Sequence, residues 1–273
     1  MIETSRLVEP AVLESRPGRP AGPMRIDRVM GTVVTIDVRQ PGADPAAVDA
    51  AFAFLHDVDR RFSPYRPDGE VGRLIRGEVE VAACAEDLRH LIALCDDLTR
   101  TSGGAFDIRG HRPDGRPDPT GIVKGWAAEE TARILEDAGL TRFVVAAGGD
   151  VVTRGEPAPG VPWRVGIRHP ERADRVALVV GLRGESIATS GAYERGGHIV
   201  DPVTRRAADG LVSMTVVGPS LTFADAYATA AFAMGERGVA WAASRTGYAA
   251  MGITPDGRVL TSEGFDRLAV PAA

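Results

Sequence analysis

An alanine-rich segment in the last third of the chain places the strongest constraint on its fold. Between Phe223 and Phe232 the sequence reads FADAYATAAF, and its only charged residue is Asp225. A helix that is apolar on nearly all sides is buried, so this segment predicts a core helix. Asp225 and Thr229 are four residues apart and share one face of that helix. A buried carboxylate and hydroxyl need a polar partner, for which a hard cation such as Mg2+ is suitable.

A simpler interpretation of this polar pair needs no ligand. Asp225 can be explained as a helix cap, and Thr229 as a hydroxyl that bonds back to a carbonyl of the preceding turn. The choice between this interpretation and a metal site depends on the rest of the chain.

Composition places the chain among globular proteins. Its 273 residues, 44% of them hydrophobic, suffice for a sizeable core in one large domain or two small ones. A formal net charge of -5 and the lack of a basic stripe argue against a nucleic-acid partner. The spacing of Cys84 and Cys95 matches neither a zinc knuckle nor a CxxC motif, so we interpret both as reduced packing residues.

The N-terminal segment has the composition of a loose tail. It contains several prolines and arginines, no apolar run long enough for a signal peptide, and no cysteine that could carry a lipid. We therefore expect a disordered tail at residues 1–24 and one functional domain at residues 25–273. We also expect the protein to be cytoplasmic and not anchored to a membrane.

Helical patterns dominate the first half of the chain. Asp44 and Pro45 predict the start of an amphipathic helix that ends before Ser63, and a second helix is predicted from about Glu86 to Thr101. Before them, residues 29–39 alternate in polarity and predict one strand.

Strand patterns dominate the second half. Short apolar runs separated by Gly and Pro turns predict antiparallel strands at 143–147, 151–154, 163–168, 176–182 and 211–217. Two stretches between these strands, 186–193 and 197–202, are interpreted as irregular polar segments. The expected fold class is α+β, with mixed, largely antiparallel sheets and packed helices.

A glycine-rich loop leads into a helix at residues 118–126, where the sequence reads DPTGIVKGW. Lys124 in this loop is the only lysine of the chain. Free N–H groups at a helix N-terminus, together with a lysine, can hold a phosphate. The spacing does not match a Walker A loop, and taken alone such a loop is usually a simple capped turn.

Several polar motifs follow one another in a characteristic order. They are Met30-Gly31-Thr32, Phe62-Ser63-x-Tyr65, GAFD at 104–107, DxxGxxKG at 118–125, GGD at 148–150, ATSG at 188–191, HxxDP at 198–202 and ADAxxT at 224–229. This order resembles the FAD:protein FMN transferase family, the ApbE-type flavin transferases. The match covers nearly all of the chain after the tail.

The resemblance implies an Mg2+-dependent enzyme whose substrate is FAD. Such an enzyme cleaves FAD, releases AMP and joins FMN through its phosphate to a Thr or Ser hydroxyl of an acceptor flavoprotein. The resemblance assigns FAD contacts to Met30, Tyr65, Ala105, Phe106, Asp107, Asp118, Lys124 and the backbone of Val200. It assigns metal ligands to the backbone carbonyls of Gly121 and Ala228 and to the side chains of Asp225 and Thr229. It assigns assistance of proton transfer to His198.

Two rival functions use the same residues. In an FAD pyrophosphatase, water replaces the acceptor hydroxyl, and free FMN and AMP are released. A non-catalytic flavin-binding protein keeps the pocket without turnover. If the chain is a transferase, the expected acceptor is a cytoplasmic or cytoplasm-facing flavoprotein.

Overall fold

Ten strands and six α-helices are formed by the residues that the computed structural model describes, which are 22–110, 114–172, 174–191, 199–201 and 206–270. The strands are β1 (Met24–Val29), β2 (Thr32–Val38), β3 (Phe143–Ala147), β4 (Asp150–Arg154), β5 (Trp163–Arg168), β6 (Val176–Leu182), β7 (Ser186–Gly191), β8 (Ser213–Gly218), β9 (Ala249–Ile253) and β10 (Val259–Thr261). The helices are α1 (Pro45–Phe62), α2 (Glu70–Arg76), α3 (Glu86–Thr101), α4 (Thr120–Asp137), α5 (Leu221–Met234) and α6 (Arg237–Ala243).

Eight of these strands form one sheet in the order β1-β2-β3-β4-β7-β8-β9-β10. Every neighbouring pair in it is antiparallel. Strands β5 and β6 pair with each other in a separate antiparallel sheet. The predicted α+β class with largely antiparallel sheets is therefore confirmed.

The large sheet is covered on both faces, as alternate residues of β3 demonstrate. Val145 belongs to a core that also contains the apolar faces of α1, α4 and α5. Its neighbour Val144 belongs to a second core, which is completed by Trp163 of β5 and Leu182 of β6. Successive side chains of a strand point to opposite faces, so the large sheet forms the middle layer between helices and the small sheet.

The strand predicted at residues 29–39 is confirmed over Thr32–Val38, but its start is wrong, because the chain turns back at Met30 and Gly31. Both residues have a positive φ, 54° and 71° respectively, and Val29 pairs with Thr32 across the turn. Two consecutive left-handed residues form the tight connection that suits the twist of a β-hairpin. This turn starts β2 at Thr32 and makes β1, which the sequence pattern did not predict, an edge strand.

The interpretation of residues 186–191 as irregular is also wrong, because they form β7. This strand lies between β4 and β8 in the middle of the large sheet and pairs with β8 along its whole length. Its sequence, SIATSG, has little intrinsic preference for a strand, so the pairing with its neighbours determines its structure.

The predicted helices are confirmed with small changes at their ends. Asp44 caps α1, since its Oδ1 accepts a hydrogen bond of 2.9 Å from the amide of Ala46. The helix ends at Phe62, before Ser63, as the sequence indicates. Helix α2 was not predicted, because it has only seven residues.

Among the described residues, no helix has the length and apolar character required to cross a membrane.

The two cysteines are buried and free, as expected for packing residues. Burial raises the pKa of the Cys95 thiol to about 12 and also raises the pKa of Cys84. Both thiols therefore remain protonated near neutral pH.

The division into a tail at 1–24 and a domain at 25–273 stays a prediction, since residues 1–21 lie outside the described part and Met24 begins β1.

Helices α4 and α5 are joined by Glu129, which is only 6% exposed. Its Oε2 accepts hydrogen bonds from the Ser220 hydroxyl at 2.7 Å, the Thr222 amide at 2.9 Å, and the Thr222 hydroxyl. Ser220 is the N-cap residue of α5. A carboxylate from α4 therefore accepts the hydrogen bonds of donors in the first turn of α5. The dipole of α5 also favours a negative charge at this end of the helix.

Replacing Glu129 with Ala should lower the free energy of unfolding by about 2 kcal/mol, because buried donors at the start of α5 would lose their acceptor. Chemical denaturation of both proteins measures this difference. Glu130→Ala is the control, since that more exposed carboxylate pairs with Arg133 on the surface, and its loss should change stability by less than about 0.5 kcal/mol. Equal effects of the two substitutions would contradict the role given to Glu129.

Candidate functional site

Two cavities lie side by side at the N-terminal end of α4. The larger, about 590 Å³, is bounded by the turn between β1 and β2, by residues 63–65, and by Gly148 and Gly149. The smaller, about 210 Å³, is bounded by residues 105–108, the end of β7 and the middle of α5. Thr120 and Lys124 line both cavities, so the two meet at the first turns of α4.

The predicted site residues converge on these cavities. Met30, Tyr65 and Lys124 line the larger one. The residues along the smaller one are Ala105, Phe106, Asp107, Asp118, Gly121, Lys124, Val200, Asp225 and Thr229. Ala228 is fully buried in α5 between Asp225 and Thr229. His198 lies outside the described residues.

The loop after α3 is fixed by its own polar groups. Ser102, the residue after α3, accepts a hydrogen bond from the Phe106 amide at 3.0 Å, and the Phe106 side chain is buried. Asp107 accepts a hydrogen bond of 2.7 Å from the amide of Arg109. A Cβ at Gly110 would lie 2.1 Å from Asp107 Oδ2, so the glycine makes room for this carboxylate. The loop presents Asp107 to the smaller cavity.

Asp118 organises the start of α4. Its Oδ1 accepts hydrogen bonds from the amide and the hydroxyl of Thr120, at 3.1 and 2.7 Å. The loop is thus a capped turn, one of the two interpretations that the sequence allowed. Asp118 also lines the smaller cavity, so the capped turn and a ligand-binding role are compatible.

Lys124 forms an ion pair with Asp150, the first residue of β4. The distance from Nζ to Asp150 Oδ2 is 2.7 Å, and the Asp150 side chain is 1% exposed. Asp150 Oδ1 accepts a hydrogen bond of 3.2 Å from the amide of Thr189 in β7. Sequence reasoning noted the GGD motif but gave Asp150 no role, because nothing in its spacing links it to Lys124.

Asp225 and Thr229 lie on one face of α5, as predicted, and both line the smaller cavity. Asp225 is 6% exposed. The interpretation of Asp225 as the cap of α5 is wrong, because Ser220 holds that position. The Thr229 hydroxyl is 3.2 Å from the hydroxyl of Ser190 on β7, a second site residue that sequence reasoning missed.

Gly125 allows α4 to approach Asp225 closely. A Cβ at this position would lie 2.8 Å from Asp225 Cβ and 2.9 Å from its Oδ2. It would also lie 3.1 Å from the carbonyl oxygen of Leu221. The absence of a side chain at residue 125 therefore sets the distance between the two helices that line the smaller cavity.

The oxygen donors around the smaller cavity fit a hard divalent cation. Asp225 offers a carboxylate, Thr229 a hydroxyl, and Gly121 a backbone carbonyl. Mg2+ prefers oxygen ligands of these types and keeps part of its water shell. Within the described part of the chain, no three His, Cys, Asp or Glu side chains form a cluster for a metal. Metal binding here would therefore depend on hydroxyl, carbonyl and water ligands beside Asp225.

Tyr65 lies at the rim of the larger cavity with 93% of its surface exposed. An exposed aromatic ring beside a cavity offers a flat apolar face to a planar ligand. Arg168, at the end of β5, also lines this cavity and was not predicted from the sequence.

Comparison with known proteins gives consistent results. A family model described as "ApbE family" matches residues 30–112 and 109–252. The FAD:protein FMN transferase of Salmonella typhimurium is 29% identical over 265 residues, covering 93% of this chain and 72% of the relative. The protein of the same name from Escherichia coli K12 is 27% identical over 257 residues, covering 90% and 71%. The solved structure of flavin transferase ApbE from Vibrio cholerae has a TM-score of 0.77 and 26% identity, covering 90% of this chain and 98% of that one.

Proposed function

The chain belongs to the ApbE family, and on this basis we propose that it is an Mg2+-dependent FAD:protein FMN transferase, which transfers FMN from FAD to an acceptor flavoprotein. The observation that carries this proposal is the junction of the two cavities. There Lys124 lies between a larger space with an exposed aromatic rim and a smaller space lined by oxygen donors.

FAD is a long molecule with a charged centre, and the two cavities match that division. The larger cavity has the size of a small-molecule pocket and accepts one ring system beside Tyr65 and Met30. The pyrophosphate then crosses the junction, where Lys124 contacts a phosphate oxygen. Free backbone N–H groups and the helix dipole at the N-terminus of α4 also favour this negative charge.

The residues around the smaller cavity are proposed to hold Mg2+. Asp225 and Thr229 supply side-chain oxygens, and Gly121 and Ala228 supply backbone carbonyls. A bound Mg2+ supplies neutralisation of charge on the phosphate oxygens. Asp107 and Asp118 also line this cavity, where they are proposed to contact FAD together with Ala105, Phe106 and the backbone of Val200.

The transfer itself replaces a phosphoanhydride bond of the FMN phosphorus with a phosphoester bond. The acceptor hydroxyl oxygen bonds to the FMN phosphorus, the bond from that phosphorus to the bridging oxygen breaks, and AMP leaves with the electron pair. The hydroxyl proton is taken by His198, since histidine is the side chain that most often serves as a general base in enzymes. The roles of His198 and of a Thr or Ser acceptor follow from the family resemblance. The cytoplasmic location of the protein and its acceptor stays a prediction.

The proposal is tested by incubating the protein with FAD, Mg2+ and a candidate acceptor flavoprotein. Mass spectrometry should find FMN attached to the acceptor, with an equal amount of AMP released. An acceptor in which Ala replaces the modified Thr or Ser is the control and should stay unmodified. Free FMN and AMP without acceptor modification would support the pyrophosphatase instead, and bound FAD without products would support a flavin-binding protein.

Replacing Tyr65 with Ser should weaken FAD binding about threefold to tenfold, the range expected for losing one aromatic stacking contact. The free energy of unfolding should change by less than about 0.5 kcal/mol, because this ring is exposed. Fluorescence titration with FAD and chemical denaturation measure the two quantities. Val259→Ser removes another exposed apolar side chain, on β10, that lines neither cavity, and it should leave FAD affinity unchanged. Unchanged affinity of Tyr65→Ser would remove Tyr65 from the proposed pocket.

A further inference from the structure

We propose that Asp150 is a positioning residue for the transfer reaction. It holds the Lys124 ammonium at the junction of the two cavities, where that ammonium meets the pyrophosphate of FAD. This inference rests on the proposed function, because it concerns the same substrate.

The carboxylate of Asp150 is fixed from two sides. Its Oδ2 is 2.7 Å from Lys124 Nζ on α4, and its Oδ1 accepts a hydrogen bond of 3.2 Å from the Thr189 amide on β7. The side chain is 1% exposed and directly follows the turn at Gly148 and Gly149. A carboxylate held in this way presents Oδ2 to the lysine in one orientation.

Lys124 needs such a constraint because its side chain is long and partly exposed. The exposed fraction of the side chain is 27%, and a lysine that is fixed on ligand binding loses considerable rotamer entropy. An ion pair that already fixes the ammonium before the ligand binds removes most of that cost from FAD binding. The ammonium has three N–H donors, so contact with a phosphate oxygen does not require it to leave Asp150.

The location of the pair separates this role from a purely structural one. A carboxylate at a pyrophosphate site repels the ligand, so Asp150 favours binding only through the lysine in front of it. Asp150 itself lines neither cavity, whereas Lys124 lines both. Asp150 is therefore placed behind the cation and outside the lining of the ligand space.

Asp150→Asn tests this arrangement because the amide keeps the shape of the carboxylate. If the oxygen of the new side chain accepts the hydrogen bond from the Thr189 amide, its NH2 group faces the lysine ammonium, and two donors oppose each other. If the side-chain amide is turned, the same conflict arises at Thr189. We expect FAD affinity, measured by titration with Mg2+ present, to fall about tenfold.

A double-mutant cycle with Lys124→Ala distinguishes positioning from general damage. Once the lysine is absent, Asp150→Asn should change FAD affinity by less than about twofold, because it acts only through that lysine. The same substitution should raise the melting temperature of Lys124→Ala, since it removes a buried carboxylate that has lost its cation. In the double variant, FAD affinity should therefore stay as low as in Lys124→Ala while the melting temperature rises. A purely structural role of Asp150 does not predict this combination.

The matched control is Asp37→Asn, which changes another buried carboxylate of the large sheet. Asp37 Oδ2 is 2.6 Å from an Arg39 nitrogen, and neither residue lines a cavity of the site. This variant should melt at a lower temperature and bind FAD like the wild type. Unchanged or tighter FAD binding by Asp150→Asn would overturn the positioning role while leaving the proposed function intact. Wild-type protein that bound no FAD would instead overturn the proposed function and this inference with it.

Discussion

Replacing Asp225 with Asn should abolish the stabilisation of the protein by Mg2+ and lower FAD turnover about a hundredfold or more. Asn keeps the shape of the side chain but removes the charge and one anionic oxygen, the features that a hard cation requires. The buried position of Asp225 on α5, where it lines the smaller cavity together with Thr229, supports its proposed role as the main charged ligand of the metal.

Two measurements test this expectation. Melting curves with and without Mg2+ should shift for the wild type and coincide for Asp225→Asn, and AMP release should lose its Mg2+ dependence together with most of its rate. Glu129→Gln is the control, because it changes a buried carboxylate of α4 that binds the first turn of α5, outside the two cavities. It should lower stability and retain the response to Mg2+. A response that persists in Asp225→Asn would exclude Asp225 as a ligand.

Replacing Gly125 with Ala should lower the free energy of unfolding by about 1–3 kcal/mol and reduce FAD turnover as well. The new Cβ would lie 2.8 Å from Asp225 Cβ, so α4 and α5 must move apart or the Asp225 side chain must turn away. Either movement displaces a carboxylate that the proposed reaction requires in one place.

Gly121→Ala is the stability control for this prediction. Residue 121 lies one turn earlier on α4, and a Cβ there meets no atom within 4 Å. Alanine is the better helix former, so Gly121→Ala should keep or slightly raise stability. Chemical denaturation compares the two variants. A stable Gly125→Ala would mean that the helices adjust without cost and that the close contact is not required.

Local signals in the sequence were sufficient for the helices but not for every strand. Asp44 and Pro45 fixed the start of α1, and the spacing of apolar residues predicted its length, because both are properties of neighbouring residues. Strand β7 has no such signal, since its pairing partners β4 and β8 supply the reason for its conformation. The turn at Met30 was not predicted for a related reason. A left-handed backbone is uncommon for a residue other than glycine, so the residue type at position 30 did not indicate a turn.

Some features of the candidate site could likewise be predicted from the sequence, whereas others could not. The four-residue spacing of Asp225 and Thr229 predicted that they share a helix face, and the structure agrees. The contacts of Lys124 with Asp150 and of Thr229 with Ser190 join different elements, and spacing along the chain cannot reveal such pairs. Motif order identified which residues belong together, whereas the tertiary structure was needed to say which of them touch.

For the design of an inhibitor, the contact between α4 and α5 means that one part of the pocket has a fixed geometry, whereas the part formed by a surface loop does not. Lys124 and Asp225 lie on helices that are held together at Gly125 and by Glu129, so their separation can be treated as fixed. Tyr65 lies on a loop with nearly its whole ring in solvent, and its position cannot be treated in that way. A compound should therefore match its charged groups to the two helices with a rigid linker and reach the tyrosine through a flexible arm.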